Sequence, residues 1–424
     1  MEIYVVQMGD TIHSISEKFG INIERLMYDN NLNETEQLVQ GQALVIAYPK
    51  QSHIVQPGDT LQSIADTYSV SIMQILRNNP FLSEREYIFP GESLVISYNT
   101  SGNITTNGYT FPFINRTTLI KTLPNLTYLS IFNYRILENY DIYTYDEDAE
   151  LIRASKDYSV VPLMLISILT LYGEPDINTA YKILLDENGQ LEIIDKLVEI
   201  MKNKGYGGMN IVFNILNRNN QSLIRSYVRK ISERLSQENL LLFMTINYND
   251  NLINDNIDYS QFSEYVNDMT FIQLKWSKNE APPGPVSNIT TIKAYIDGIL
   301  TYLSPDNISI GKSIIGYDWQ LPYVPQITSI VAIGLNSAYD LAADNNSAIQ
   351  FDEVSQTPFF TYYQEALTFP AMHIVWFIDA RSVNALLGYI METGIQGSGV
   401  WNIMVYNPQL WLLFNSQFDL IKII

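Results

Sequence analysis

Aromatic and amide side chains hold the positions where this chain could do chemistry. Asn133 and Tyr134, Ser167, Asn214, Asn247 and Tyr248, Lys275 and Trp276, Tyr317 and Asp318, and Trp401 each stand at the end of a short apolar run. An aromatic face flanked by amides suits a sugar ring, which stacks through its C–H face and hydrogen-bonds at its edge. The same aromatics serve equally well as rim packing. Carboxylates are scarce in this set, so acid–base work has few candidates. Other chemistries lack their reagents. The sequence has no cysteine, which removes disulfides, thiolate zinc sites and thiol nucleophiles. Its three histidines, His13, His53 and His373, are far apart and too few for a zinc centre, and none sits in a recognisable hydrolase motif. No metal or cofactor is expected.

The runs that carry these residues are rich in β-formers and alternate with helical patterns. Eight strands are expected: Tyr109–Phe113, Thr127–Phe132, Val160–Ile168, Met209–Phe213, Leu240–Ile246, Thr270–Leu274, Ile308–Ile315 and Gly399–Ile403. Helical stripes separate most of them, such as Leu223, Tyr227, Ile231 and Leu235. This alternation predicts an α/β fold over residues 99–424, a (β/α)8 TIM barrel. The first strand is the least regular, because Pro112 interrupts it. Residues 320–397 are too long for one connection and predict a small inserted subdomain with strands of its own. Asn99 to Asn107 is polar and reads as a linker.

Ahead of the linker the chain repeats itself. Val5-Val6-Gln7-Met8-Gly9-Asp10-Thr11-Ile12 returns 49 positions later as Ile54-Val55-Gln56-Pro57-Gly58-Asp59-Thr60-Leu61. Each copy continues with apolar residues at helical spacing, then a second helix opening at Asn22 or Ser71, the latter in a capping-box pattern with Gln74. An asparagine pair follows, Asn30-Asn31 or Asn78-Asn79, and then a closing strand, Gly41 to Ile46 or Gly91 to Ile96. The order is βααβ, over residues 2–48 and 52–98.

These recurring Gly-Asp-Thr, Asn-pair and Gly-x-x-Leu-x-Ile elements resemble the LysM domain, twice over. The resemblance implies binding of N-acetylglucosamine polymers, peptidoglycan or chitin-like, in a shallow groove between the Gly-Asp-Thr loop and the loop before the last strand. The residues it points to are Gly9, Asp10, Thr11 and Asn31 in the first copy and Gly58, Asp59, Thr60 and Asn79 in the second. Asp10 and Asp59 are expected to cap the first helix of each copy, with backbone groups nearby holding sugar.

The rest of the chain is similar to family 18 glycoside hydrolases of the spore cortex-lytic type, in which tandem LysM domains precede a barrel with an inserted subdomain. The landmarks are Gly316-Tyr317-Asp318-Trp319-Gln320-Leu321-Pro322-Tyr323, Pro282-Pro283-Gly284-Pro285, Ile349-Gln350-Phe351-Asp352-Glu353 before Pro358-Phe359-Phe360, Val375-Trp376-Phe377-Ile378-Asp379-Ala380-Arg381-Ser382, and Ser398-Gly399-Val400-Trp401. The family's fourth strand ends in Asp-x-Glu. The Glu is the general acid/base, and the Asp orients the acetamido group whose oxygen attacks the anomeric carbon. Here the segment reads Met209-Asn210-Ile211-Val212-Phe213-Asn214, with Val212 at the Asp position and Asn214 at the Glu position. The family's Met-x-Tyr and following acid on strand six read Ile272-Gln273-Leu274-Lys275.

Glycosidic cleavage needs a proton on the leaving oxygen and charge stabilisation at the anomeric centre. An amide has no proton to give near neutral pH, and loss of the acid alone costs roughly 10²–10⁴ in rate. Asn214 reads as a strand-end amide or as a sugar contact, and Lys275 as a solvated rim charge. Tyr317, Asp318 and Trp401 complete the expected glycan-binding set. Two readings follow: a non-catalytic binder of N-acetylglucosamine-containing glycan, or an active N-acetylglucosaminidase whose acid has moved, with Asp318 or Asp379 as the substitute.

Charge and targeting narrow the partners. Lys plus Arg number 25 against 45 Asp plus Glu, a net charge of −20 that provides no footprint for nucleic acid or anionic lipid. The sequence opens Met1-Glu2-Ile3-Tyr4-Val5-Val6 and carries neither a signal-peptide pattern nor a membrane-length apolar run. Synthesis in a cytoplasm is expected. The resemblance adds deposition on a spore coat, cortex or cell envelope, with spore coat proteins as candidate partners.

Overall fold

Closure of the sheet positions everything at the barrel mouth. The computed structural model describes the chain except residues 34–36, 86, 169–175, 249–252, 254, 274–281, 326, 365–370 and 424. Eight strands pair in parallel: Asn103–Thr110, Tyr128–Ile136, Val161–Ser167, Gly208–Val212, Leu241–Asn247, Asp268–Ile272, Ile308–Ser313 and Gly397–Trp401. The first pairs with both the second and the eighth, which closes the ring and leaves no barrel edge. All eight lie near their sequence-predicted positions except the first, which starts at Asn103 and ends before Pro112. Its polar start belongs to the barrel because those groups are paired: Thr106 donates to the Asn125 carbonyl at 2.6 Å, and Asn107 accepts from Ser130 at 3.0 Å. The expected linker therefore supplies the first five of the eight residues of the first strand.

Side chains fill the barrel in layers. Val161, Leu163 and Phe243 form the layer toward the N-terminal ends of the strands. Above it a neutral chain of hydrogen bonds runs from Asn107 through Ser130, Asn210 and Thr245 to the Tyr109 hydroxyl, each link between 2.8 and 3.0 Å. At the C-terminal ends, Tyr109, Phe132, Leu165, Val212, Ile272 and Trp401 form an apolar layer, with Phe111 and Ile315 packed on it. No helix among the described residues is long and apolar enough to cross a membrane.

The inserted subdomain is a five-stranded antiparallel sheet in the order Ile330–Ile333, Gly316–Leu321, Ala371–Trp376, Thr357–Gln364, Gln350–Asp352, covered by the helix Leu335–Asp344. It starts earlier and stops earlier than the sequence suggests. The helix Ala380–Thr393 is the barrel's own: its Val383, Leu386 and Leu387 join the main core.

Each repeat is βααβ: strands Glu2–Val5 and Ala43–Ile46 around helices Ile12–Phe19 and Ile23–Asn30, then Gln51–Ile54 and Ser93–Ser97 around Leu61–Tyr68 and Ile72–Asn78. Thr11 and Thr60, not the preceding aspartates, cap the first helices, each exchanging two hydrogen bonds with the serine three residues on. The second-helix caps are Asn22 and Ser71 as expected, but Gln74 turns away to the Ile96 carbonyl, so no reciprocal box forms there.

The first repeat is built into the inserted subdomain. Val39 lies in one core with Ala338, Tyr339, Ile349 and Phe360. The Gln40 carbonyl accepts from the Ile349 amide at 2.9 Å, and Arg381 donates to the Gly41 carbonyl at 3.1 Å. Gly41 has φ +88°, and a Cβ there would overlap the Ile349 carbonyl; Gly91, its counterpart at φ +94°, has open space around it. Both alanine substitutions carry a left-handed penalty of about 1–2 kcal/mol. Gly41→Ala should lose roughly 2 kcal/mol more, from the displaced contact. Denaturant midpoints of the two variants measure the difference, and equal losses would contradict this docking.

Asp268 stands at the opposite end of the barrel from the mouth, beside a cavity of about 140 Å³ that Asn107, Tyr128 and Ser398 also line. Burial raises its carboxyl to about 6, against the lowering pull of hydrogen bonds from Ser309 and Thr270. A carboxyl raised above its unfolded value near 4 contributes stability below pH 4 that is lost as pH rises through 6. Asp268→Asn should therefore stabilise the fold on the order of 2 kcal/mol at pH 8 and make almost no difference at pH 4. Urea melts at the two pH values test this, and a pH-independent difference would refute it.

Candidate functional site

At the end of the fourth strand the chain presents a neutral network. Asn214 Nδ2 donates to Ser167 Oγ at 2.8 Å, and Asn247 Nδ2 lies 3.4 Å from Asn214 Oδ1. Three of the expected strand-end residues thus meet, from strands three, four and five. Val212, two residues earlier, points into the barrel and is buried against the apolar layer that includes Trp401. Lys275 lies outside the described residues, as do Leu274 and Trp276.

Among the described residues, three buried carboxylates of the barrel and the insertion are engaged in other work. Asp148 is fully buried and accepts from Asn133 at 2.8 Å, from the Tyr134 and Tyr206 hydroxyls at 2.6 Å each, and from Lys204 at 2.6 Å. Burial pushes its carboxyl up, but those donors outweigh burial and hold it below the ordinary range, so it stays ionised. Asp318 is buried in the inserted sheet, accepting from Tyr362 at 2.7 Å and paired with His373 at 2.9 Å. Asp379 caps the helix that begins at Ala380 and binds Arg381 through the guanidinium. Asp318 is therefore a structural residue of the insertion and not a glycan contact. Tyr317 is likewise buried, in the core shared by barrel and insertion. Both corrections have one cause: the sheet of the insertion begins at Gly316, so residues read as strand-end groups are inside a strand.

Sequence reasoning missed the aromatic residues that reach solvent. Phe111 stacks on Phe113 with ring centres 5.4 Å apart and meets Phe132 and Trp401 edge-on at 5.4 and 5.9 Å. Phe132 stacks on Tyr145 at 5.9 Å, and Tyr145 meets Tyr143 at 5.2 Å. Phe113, Tyr143 and Tyr145 are exposed, so a continuous run of rings leads from the apolar layer to the surface. The alternation Tyr143-x-Tyr145 and the pair of phenylalanines around Pro112 were the signals available. A series of ring faces with open edges can hold a chain of sugars but supplies no proton.

In the repeats, Gly9 and Gly58 take φ +86° and +95°, which lets each loop turn back toward the sheet. Asp10 accepts from the Tyr4 hydroxyl at 2.6 Å and the Gln7 amide at 2.8 Å; Asp59 accepts from His53 Nε2 at 2.8 Å and the Gln56 amide at 2.7 Å. These bonds hold both carboxyls below the usual range, chiefly through Tyr4 for Asp10 and the Gln56 amide for Asp59. Thr11 and Thr60 spend their hydroxyls on helix caps. Asn31 is exposed, in the left-handed region at φ 53°. Asn79 is fully buried: it donates to the Ile75 and Val95 carbonyls and accepts from the Val95 amide, stitching helix to strand. It cannot touch a ligand. Its equivalent in the first repeat is Asn30, with the same three bonds to Leu26 and Val45.

Comparison with known proteins agrees with this layout. Residues 4–47 and 53–97 each match the LysM domain, and residues 98–404 match glycosyl hydrolases family 18. The chain is 29% identical over 434 residues to the cortical fragment-lytic enzyme of Bacillus subtilis strain 168, covering 100% of this chain and 99% of that enzyme. The Bacillus anthracis enzyme of the same name is 26% identical over the same length. Among solved structures, the spore cortex-lytic enzyme SleL of Bacillus cereus superposes with a TM-score of 0.80 at 26% identity, over 99% of both chains. With the match running through all eight barrel strands, the chain belongs to glycosyl hydrolase family 18 and carries two LysM domains ahead of its barrel.

Proposed function

We propose that this protein is a non-catalytic binder of N-acetylglucosamine-containing glycan such as peptidoglycan, acting as a component of a spore coat or envelope. The observation that carries the reading is the pair at strand four. Where the family places an aspartate, Val212 is sealed in an apolar layer, and where it places the acid, Asn214 shares a neutral network with Ser167 and Asn247. Asp148, Asp318 and Asp379 are each held by other partners, and Asp268, a barrel carboxyl that burial raises, lies at the far end of the barrel. The exposed rings Phe113, Tyr143 and Tyr145 and the two LysM modules support glycan holding. Full-length similarity to enzymes named for lysing cortical fragments favours spore cortex as the source of that glycan, and it equally favours the second reading, an active cortex-lytic N-acetylglucosaminidase with a relocated acid.

One experiment decides between them. The purified protein should sediment with peptidoglycan and release no reducing sugar from cortical fragments. Turnover abolished by Asp318→Asn or Asp379→Asn would overturn the proposal. Restoring the family residues should not simply restore the enzyme. Val212→Asp places a carboxylate among Tyr109, Phe132, Leu165 and Ile272. It should cost roughly 3–5 kcal/mol, the penalty of an uncompensated buried charge, measurable by chemical denaturation. A cost below ~1 kcal/mol would mean that the layer is wetter than its packing implies.

A further inference from the structure

The two repeats carry the same motif on the same backbone, and the fold uses them differently. In the first, the turn before the last strand is consumed by protein: Val39 is buried in the core of the inserted subdomain, and Gln40 and Gly41 are hydrogen-bonded to Ile349 and Arg381. The second repeat docks through another surface. Its helix Ile72–Asn78 and the turn Pro80–Glu84 face the barrel, with the Arg77 carbonyl accepting from Asn415 at 3.2 Å. The turn equivalent to Val39–Gly41 is therefore left outside. There Phe89 replaces Val39, and Tyr87 stands two residues before it; they are 49% and 63% exposed.

This exposed turn is braced. The Tyr87 and Phe89 rings meet edge-to-face at 5.2 Å and 85°. The Arg85 guanidinium covers Phe81 at 5.2 Å and Phe89 at 5.3 Å, and it pairs with Glu92, whose second oxygen accepts from the Phe89 amide at 2.9 Å. The charges cancel locally, so the patch selects neither an anion nor a cation. Arg85 takes one side of Phe89, so what the patch offers is the ring surface of Tyr87 and Phe89 that remains exposed, with nearby backbone groups. That chemistry fits a neutral pyranose with an apolar face and an amide substituent.

We infer that the first repeat is a bracket locking the inserted subdomain to the N-terminal module, while the second repeat takes the glycan, with Tyr87 and Phe89 as stacking platforms for successive N-acetylglucosamine rings. The inference rests on the glycan-binding reading above and adds which module does the binding and through which side chains.

The test titrates the full-length protein with N-acetylglucosamine tetramer and sediments it with peptidoglycan. Tyr87→Ala/Phe89→Ala should weaken tetramer binding about tenfold, the scale of two lost aromatic contacts. Met8→Arg, on the exposed loop of the first repeat, should change it less than about twofold. Far-ultraviolet circular dichroism and the thermal midpoint establish that both variants fold, and Tyr87→Trp should retain binding where Tyr87→Ala loses it. If the wild type binds tetramer or peptidoglycan and the double variant binds equally well, this inference fails while the glycan-binding reading stands. If Met8→Arg abolishes binding, the assignment of repeats is reversed and the inference fails. If the wild type binds neither ligand, both readings fall. Concentration-dependent self-association lost in the double variant, with tetramer binding unchanged, would mean that a second copy occupies the patch and would also overturn it.

Discussion

An apolar layer across the top of the barrel governs what this protein can do. Tyr109, Phe132, Leu165, Val212, Ile272 and Trp401 come from six strands and pack together at the level where a family 18 barrel does its chemistry. A layer of this kind excludes water and raises the electrostatic cost of any charge placed in it. Carboxylates are tolerated only where donors surround them. Asp148, with four donors on its two oxygens, is wholly committed. Through the middle of the barrel runs instead a chain of neutral amides and hydroxyls from Asn107 to Tyr109, which leaves Asn107 Nδ2 without a partner among the described residues and contains no proton donor of useful strength.

The tandem repeat illustrates how one motif serves two ends. Asn30 and Asn79 make the same three backbone bonds, and Thr11 and Thr60 make the same caps, so each module is internally complete. Their outer turns differ in what covers them. In one copy a small apolar residue and a glycine fit against Ile349. In the other, two aromatics and an internal ion pair make the turn self-supporting in solvent. Internal duplication thus frees one copy to become scaffolding without losing the surface that the other still presents.

Legibility in the sequence followed the strength of local signals. Strands such as Val161–Ser167 and Leu241–Asn247 are dense in β-formers and buried on both sides, so their positions were readable to within a residue or two. Asn103–Thr110 was not, because Thr105, Thr106 and Asn107 look like loop residues until their partners on neighbouring strands are known. The Gly-Asp-Thr turns were visible, but composition could not say that threonine would cap while aspartate tied down the preceding turn. Asn79 was taken for a ligand contact because exposure is not encoded in an Asn pair; only the helix–strand packing buries it. Tyr317 and Asp318 failed for a positional reason: the seventh barrel strand ends at Ser313, and a new sheet begins three residues later. The rim aromatics carry no strand-end signal, because Tyr143 sits on a short hairpin strand, Ile142–Thr144, after the second barrel strand, with Tyr145 just beyond it.

A hydrolase of this type must bind its transition state better than its substrate, and the difference comes from charge that develops at the anomeric carbon and the leaving oxygen. Among the described residues, the rings and neutral amides at the mouth make contacts that suit an uncharged sugar and do not strengthen as charge appears. On the non-catalytic reading proposed above, substrate and transition state are held nearly equally, which gives retention without turnover. Rigidity then matters more than reactivity. The first repeat, held by Arg381 and Ile349, ties the N-terminal modules to the barrel, and the second is anchored through Asn415 and Arg25. Fixed modules keep their surfaces at a fixed separation, so for a polymer that reaches two of them each weak contact raises the local concentration for the next. On that reading a neutral mouth and tight bracketing of the modules are compatible, since a protein that only holds a polymer has no need to release it after a cut.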